Sequence, residues 1–534
     1  MTEGHQRTLD GFQTAPPAST EDGGTAFRSD PSGWLIHPFI TPGRIKAYPF
    51  QIVIAGEALK KDLLVVLPTG LGKTVVAALV IAETLQKGEG KVLFLAPTRP
   101  LVVQHARSLS NWIRTLPSAT FTGEVSSPHR EGKWETARAV FATPQLVVHD
   151  LLEGRYSLSD VSLIVFDEAH HARGKYAYTR ISEIYRIQRA QGRRVLALTA
   201  SPGNPRDLMA KLHLEGVESR TREDPDVAGF VQDITSSTIK VPLDSSQKEI
   251  CDALRAAARV EMTKLQRYGL LRKKKLDVTS VKDLVDARKE LFARPGSMGL
   301  RFQALARIGL AQHFLHSVEL IEREGISPFL SYIENLEGKR DPKKLDRTFL
   351  QHPAVVEAVQ KAKGRLSEGG TSSHPKVEEL VRLVREELEK KAAAKILVFA
   401  EYRDAVRSIV KVLRGSGISV QPFVGQAHRS LLDPGMAQKK QLGVLEAFRA
   451  GRFSVLVASR VAEEGLDIPQ VDLVVEYDIL SSEMRTIQRR GRTGRTASGK
   501  VVSLLSEGTK EERYRVKERK GAARALRNLR NLSA

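Results

Sequence analysis

The run Leu67-Pro-Thr-Gly-Leu-Gly-Lys-Thr74 has the residue types needed to hold a polyphosphate. Val65 and Val66 lead into it as a strand, and the apolar stretch from Val75 to Ala82 continues as a helix. The loop therefore closes on a helix N-terminus, where backbone N–H groups and the positive dipole end face an anion. Gly70 and Gly72 let the backbone approach phosphate without a Cβ in the way. Lys73 is expected on the β- and γ-phosphates and Thr74 on Mg²⁺, with Thr69 and Leu71 completing the cradle. The strict pattern has glycine at position 67, where Leu67 stands, and alone the loop also fits a glycine-rich turn ahead of a buried helix.

A pair of carboxylates complements that loop. Val161-Ser-Leu-Ile-Val-Phe166 is a β-rich apolar run suited to a buried parallel strand, and it ends in Asp167-Glu168-Ala169-His170. Adjacent carboxylates at a strand's carboxyl end are costly unless a cation or a reaction uses them, and in an open α/β sheet ligands bind at that edge. Asp167 is expected to complete the Mg²⁺ shell, and Glu168 to orient and deprotonate an attacking water. Further along, Gln488-Arg-Arg-Gly-Arg-Thr-Gly-Arg495 spaces arginines with glycines, a pattern that delivers guanidinium groups to a triphosphate on a neighbouring domain. Arg492 and Arg495 are the candidate fingers; a solvated basic turn is the other reading of that run alone.

The elements that must position these residues follow from periodicity. From 32 to 240, apolar strand-like runs at Leu63–Leu67, Lys91–Ala96, Ala139–Ala142, Val161–Phe166 and Val195–Thr199 alternate with helical stretches, the pattern of an α/β, doubly wound parallel sheet. From 241 to 374 the period becomes helical. Ser246-Gln-Lys-Glu249 reads as a capping box before Ile250, Leu254, Ala258, Met262 and Leu265 on one face; Ser280 starts a second helix, and Gly325 ends a third. Strand signals return at Ile396–Ala400, Val455–Ala458 and Leu473–Tyr477, giving a second α/β domain over 375–507 and a basic helix over 508–534. Residues 1–31, rich in Gly, Pro, Ser and Thr, carry too little apolar surface to fold and are expected to be disordered.

Composition sets the class of partner. The 534-residue chain has a net charge of +21, which predicts a polyanionic partner, nucleic acid before membrane. Its single cysteine, Cys251, excludes disulfide frameworks and cysteine-ligated zinc. With no apolar run long enough to span a bilayer and no signal-peptide core, a soluble cytoplasmic, nucleoid-associated protein is expected.

The set Pro68–Thr74, Ala96-Pro-Thr-Arg-Pro100, Asp167–His170, Thr199-Ala-Ser201, Val461-Ala-Glu-Glu-Gly-Leu-Asp467 and Gln488–Arg495 resembles the superfamily 2 helicases of the DEAH type, over about 35 to 515. Within them it is most similar to the archaeal Hef helicases and the Fanconi anaemia M-type translocases. The resemblance implies two RecA-like domains flanking a thumb-like helical insertion, ATP and Mg²⁺ as cofactors, and ATP-driven translocation on branched DNA in replication-fork repair. It implies that Gln51 reads the adenine, that Gly465 and Asp467 contact the nucleotide, that Gln488 belongs to the catalytic set, and that Thr199 and Ser201 couple hydrolysis to domain movement. By the same resemblance Pro97, Thr98, Arg99, Thr122, Gly123 and Thr143 of the first domain, and Gly425 and Ser459 of the second, contact strand phosphates, giving tracking without sequence preference. Ser459 replaces the family's usual threonine, and Arg460 follows where a small residue is common.

Three features stand outside that set. Arg272, Lys273, Lys274 and Lys275, between two insertion helices, suit a grip on a duplex arm or an ordinary solvated loop. Glu518-Arg-Lys520 resembles the core of the nuclease domain found in Hef proteins, but Arg524 stands where an aspartate is expected and the chain ends at Ala534, so no nuclease activity is expected. Gln6-Arg-Thr-Leu9-Asp-Gly-Phe12 resembles a sliding-clamp box, with Leu9 and Phe12 as anchors, although Gln13 stands where a second aromatic would; a polar tail with two stray apolar residues is the other reading. A double-stranded RNA translocase and a non-catalytic nucleic-acid scaffold remain the alternatives to a DNA translocase.

Overall fold

The computed structural model describes residues 27–533, apart from 89, 115–116, 124, 175, 202, 231–233, 272–275, 277–278, 294–297, 340, 342, 368–373, 426–434, 460–467, 480–492 and 494–498. The chain divides into two compact units, one formed chiefly by Met1–Leu67 and Gly72–Phe230 and the other by Val231–Asn531 together with Pro68–Leu71.

The first unit opens with a short antiparallel pair, β1 (Arg28–Ser29) and β2 (Leu35–Ile36). The sequence places residues up to 31 in a disordered tail, but residues 27–31 belong to the fold. Phe27 is buried against the His37 ring, and His37 Nε2 lies 3.2 Å from Glu83 Oε2, so one aromatic supplies the apolar contact that composition had averaged away. The central sheet contains β3 (Leu63–Val66), β4 (Lys91–Leu95), β5 (Ser118–Phe121), β6 (Ala139–Ala142), β7 (Val161–Phe166), β8 (Arg194–Thr199) and β9 (Gly216–Ser219). Every pairing is parallel, and the spatial order is β5-β6-β4-β7-β8-β3-β9. β3 and β6 are buried along their whole length, which explains their unbroken apolar sequences.

The second unit holds a six-stranded parallel sheet of β10 (Ile234–Val241), β11 (Ile396–Phe399), β12 (Val420–Phe423), β13 (Val455–Ala458), β14 (Leu473–Glu476) and β15 (Gly499–Ser506), ordered β10-β15-β14-β11-β13-β12. The expected boundary at 240 is therefore displaced. Ile234–Val241 pairs in register with Gly499–Ser506, so the chain enters its second sheet before the helical block begins.

That block comprises helices Ser245–Arg267, Val281–Ala293, Met298–Glu324, Ile326–Glu337, Lys344–Leu350 and Pro353–Ser367. Ile250, Leu254, Ala258, Met262 and Leu265 form the expected face and share one core with Phe314, Phe329 and Phe349. The first helix is capped by Asp244, whose Oδ1 accepts from Gln247 N at 2.9 Å, two residues before the expected Ser246. Ser280 caps the next helix as expected, its hydroxyl accepting from Asp283 N while its own N–H donates to Asp283 Oδ2. The C-terminal helix, Lys510–Ser533, is anchored at its start by Glu511, whose Oε2 lies 2.5 Å from Lys376 Nζ in a fully buried ion pair. Among the described residues no helix is long and apolar enough to cross a membrane.

Candidate active site and nucleic-acid edge

The phosphate loop leaves β3 where Leu67 N donates to Thr199 O at 3.1 Å, which ties the loop's start to the end of β8. Gly70 and Gly72 hold φ of +94° and +80°, left-handed values that favour glycine. Gly72 is doubly constrained, since a Cβ there would stand 2.3 Å from Gln51 Nε2. Gln51 therefore folds its amide over the loop while its Oε1 accepts from Tyr48 N at 2.9 Å, capping the Pro49–Lys60 helix. Lys73 begins the Lys73–Lys87 helix and turns back over the loop, its Nζ donating to Leu67 O at 3.0 Å. Thr74 follows in the same first turn.

Asp167 stands at the carboxyl end of β7 and is buried. Burial opposes its charge, but His105 Nε2 at 2.8 Å from Oδ2, with Lys73 nearby, outweighs that and holds the carboxyl below the usual carboxylate range. Glu168 has φ +47° and ψ +49°, a left-handed conformation that is uncommon for a residue with a Cβ. Such backbone strain concentrates at functional positions because the surrounding fold must maintain it. Here Tyr178 maintains it, donating to Asp167 O at 2.6 Å and to Leu95 O at 3.2 Å. His170 bridges onward, with Nδ1 3.3 Å from Glu168 Oε2 and 3.2 Å from Thr199 Oγ1; the Thr199 hydroxyl in turn donates to Ser201 O at 3.1 Å. The Thr199-Ala-Ser201 motif thus lies beside the carboxylate pair, with the His170 imidazole between them. His105 and Tyr178 escape sequence reading because their partners are 62 and 11 residues away, and no local pattern marks either pairing.

The donors present suit the groups the sequence implies. A buried carboxylate held anionic and a threonine hydroxyl are hard oxygen ligands of the kind Mg²⁺ takes, and two left-handed glycines ahead of a 15-residue helix leave backbone N–H groups for phosphate.

The sheet order divides the carboxyl edge into two halves. The loop after β3, the carboxylates after β7 and Thr199 on β8 occupy one run of neighbouring strands. Pro97, Thr98 and Arg99 after β4, Thr122 and Gly123 after β5, and Thr143 after β6 occupy the adjoining run β5-β6-β4. Thr98 and Thr143 are the N-cap residues of helices Arg99–Trp112 and Pro144–Leu152, and neither side chain caps its own helix.

In the second unit Gly425 follows β12 and Ser459 follows β13, neighbouring strands again, with Ser459 N donating to Phe423 O at 2.9 Å. Gly425 O accepts from Met436 N at 3.0 Å and Arg403 Nη2 at 2.9 Å. Thr493 is fully buried, its hydroxyl donating to Val471 O at 2.6 Å between the two candidate finger positions. Gly465, Asp467, Gln488, Arg492, Arg495, Arg272 to Lys275, and Gln6, Leu9 and Phe12 lie outside the described residues.

Comparison with known proteins places this geometry. The DEAD/DEAH box helicase family model matches residues 48–208, and the helicase conserved C-terminal domain matches residues 375–497. The crystal structure of the Pyrococcus furiosus Hef helicase domain is similar to this chain with a TM-score of 0.68 at 38% identity, covering 89% of this chain and 98% of that one. A putative ATP-dependent RNA helicase of Methanocaldococcus jannaschii is 35% identical over 90% of this chain and 60% of its own length. The ATP-dependent DNA helicase mph1 of Neurospora crassa is 35% identical over 88% of this chain and 42% of its own length. The chain thus spans about 60% or less of the curated relatives it matches.

Proposed function

The chain belongs to the Hef-type family of superfamily 2 helicases, and from that premise we propose that it is an ATP-dependent DNA helicase or translocase that acts on forks and junctions in replication-fork repair. The division of the first sheet's carboxyl edge carries this reading. Phosphate-loop, carboxylate and coupling residues end one set of strands and backbone-contact residues end the adjoining set, so nucleotide state and grip on a strand bear on the same sheet.

In this reading Gly70, Gly72 and the first turn of the Lys73–Lys87 helix bind the phosphates, and Lys73 leaves Leu67 O to reach them. Thr74 and Asp167 would hold Mg²⁺, which would supply positive charge to neutralise the phosphates. Glu168 takes the proton of the attacking water, and His170 passes its position to Thr199 and Ser201. Gln51, Gly465 and Asp467 complete the nucleotide contacts, and Gln488, Arg492 and Arg495 supply the finger set. Backbone contacts from Thr98, Thr122, Thr143, Gly425 and Ser459 give movement along a strand of any sequence. Arg272 to Lys275 grip a duplex arm, Leu9 and Phe12 anchor a sliding clamp, and the site of action is the nucleoid.

ATPase rates with single-stranded DNA, forks, four-way junctions and double-stranded RNA test the proposal. Stimulation by forks and junctions above single strands is expected. Because the M. jannaschii relative carries an RNA helicase name, stimulation by double-stranded RNA alone would replace the DNA reading with an RNA one.

A further inference from the structure

The segments that follow β5 and β6 share one buried arginine. Arg130 belongs to the Ser127–Thr136 helix, which the chain enters from the Thr122-Gly123 turn, closed by Val125 N donating to Thr122 O at 3.0 Å. Asp150, fully buried, belongs to the Pro144–Leu152 helix that begins after Thr143. Arg130 Nε donates to Asp150 Oδ2 at 2.7 Å and its Nη2 to Oδ1 at 2.6 Å, a bidentate pair. Its Nη1 donates to Val125 O, and its Nη2 also reaches Ser127 Oγ at 3.2 Å. One guanidinium thus holds the turn after β5 and the helix after β6 together.

The sheet alone does not fix that relation. The β5–β6 register ends at Phe121 and Ala142, and Thr143 N still donates to Phe121 O at 3.4 Å. Past that bond one segment becomes a turn and the other a helix, and Arg130 spans them. The carboxylate it meets is itself held: the Tyr156 hydroxyl donates to Asp150 Oδ2 at 3.3 Å, and Arg155 Nε lies 3.3 Å from Oδ1. Tyr156 stacks on Trp134, from the helix of Arg130, with centroids 4.0 Å apart and planes at 9°. Stability alone does not call for this arrangement, since replacing a buried ion pair with apolar groups of similar volume is often neutral. A planar bidentate fork adds direction instead, which fixes how two elements sit relative to each other.

We propose that Arg130, with Asp150, is a positioning residue for nucleic-acid binding: it holds Thr122 and Gly123 at a set distance from Thr143, so that both segments meet the phosphodiester backbone of one strand in a single placement. Both side chains are buried, so they act through the segments they join and not by touching the strand. The inference rests on the strand contacts proposed for Thr122 and Thr143.

The test compares the full chain with Arg130→Met/Asp150→Leu, which replaces the ion pair with an apolar one, and with Arg130→Lys, which keeps the charge but not the fork. DNA-free ATPase, KM for ATP and melting temperature are expected to stay near the parent's, because the phosphate loop and the carboxylate pair are untouched. The concentration of a fork, or of double-stranded RNA if only that stimulates the parent, giving half-maximal ATPase stimulation should rise about tenfold or more, as contact groups lose their placement. The plot of log K against log salt should become shallower by about one per lost phosphate contact. Parent values of both in the double variant, or in Arg130→Lys should the double variant not fold, would overturn the proposal. So would a parallel fall in DNA-free ATPase, melting temperature and strand affinity, the mark of a purely structural pair. A parent that neither DNA nor double-stranded RNA stimulates would sink the strand-contact reading itself, whereas a stimulated parent with an unaltered variant sinks only this inference.

Discussion

Glu168 is held in a left-handed conformation beside a carboxylate kept anionic, and in the proposed mechanism the first takes a proton while the second holds a cation. Glu168→Gln is expected to retain ATP and DNA binding and lose turnover, because the amide cannot accept the proton while Asp167 is untouched. Turnover near the parent rate, measured with DNA present, would end that assignment. On the second domain, Arg492→Ala is expected to lower kcat by roughly 10³-fold or more if the guanidinium meets the γ-phosphate. Gly72 gives a separate check on the loop. An alanine Cβ would collide with the Gln51 amide and sit at φ +80°, so Gly72→Ala must displace either the loop or the glutamine. Nucleotide affinity, read by fluorescent ATP analogue titration, should fall about tenfold or more, the equivalent of about 1.4 kcal/mol. In a Gln51→Ala background, where the space is already cleared, the further loss caused by Gly72→Ala should be smaller. At this scale the loop after β3 and the carboxylate turn after β7 were legible as loops because buried apolar strands lead into them. The shell around them was not: His105 and Tyr178 act through tertiary contacts that leave no spacing in the sequence.

The same contrast holds for elements. Interior strands β6, β7 and β13 have the bounds expected from their apolar runs. The strands that escaped are mostly sheet edges, β5, β9, β10 and β12, whose half-exposed patterns dilute the apolar signal. β15 is interior, and its Ser503 and Ser506 break the run although both are buried, with Ser503 bonded to Glu476 and Ser506 to Glu322 O. Ser506 belongs to the seam joining the helical block to the second α/β domain, where Arg323 Nη1 meets Glu401 Oε2 at 2.6 Å and His374 Nε2 lies 2.8 Å from Glu322 O. Glu324 is buried in this seam, and burial, with Asp478 and Asp404 adding to it, pushes its carboxyl up to about 8 against the pull of Arg323. A carboxyl raised in the folded state favours folding fully below its ordinary 4.5, and that contribution is lost as pH rises through about 8. Glu324→Gln removes the ionisation, so the variant should gain stability relative to the parent between pH 6 and 9, by about 2–4 kcal/mol at pH 8. Chemical denaturation at pH 5 and pH 8 checks this; an equal difference at both values would mean that ionisation of Glu324 is not what destabilises the seam.

For the whole molecule, the question is which parts the ATPase needs. A net charge of +21 gives a general attraction to polyanions, which steers association without choosing a partner. In the proposed reading, choice of a protein partner falls instead to a short segment, Gln6 to Phe12, which has two apolar residues among polar ones. A single helical turn would put Leu9 and Phe12 on one side as anchors, and ordering so short a peptide on binding holds the affinity near micromolar, roughly −8 kcal/mol. The fold shows where to cut, because Phe27 packs on His37 and Arg28–Ser29 pairs with Leu35–Ile36. Removing residues 1–26 spares these contacts, whereas removing 1–31 would disturb them. The shorter deletion is expected to abolish binding to the cognate sliding clamp while leaving DNA-stimulated ATPase unchanged, since the nucleotide and strand-contact residues all lie beyond Tyr48. Calorimetry of a peptide covering residues 1–20 should give a micromolar Kd that a Leu9→Ala/Phe12→Ala peptide loses. Binding that survives both the anchor substitutions and the deletion would assign the clamp contact to the folded units and leave the segment with no part in it.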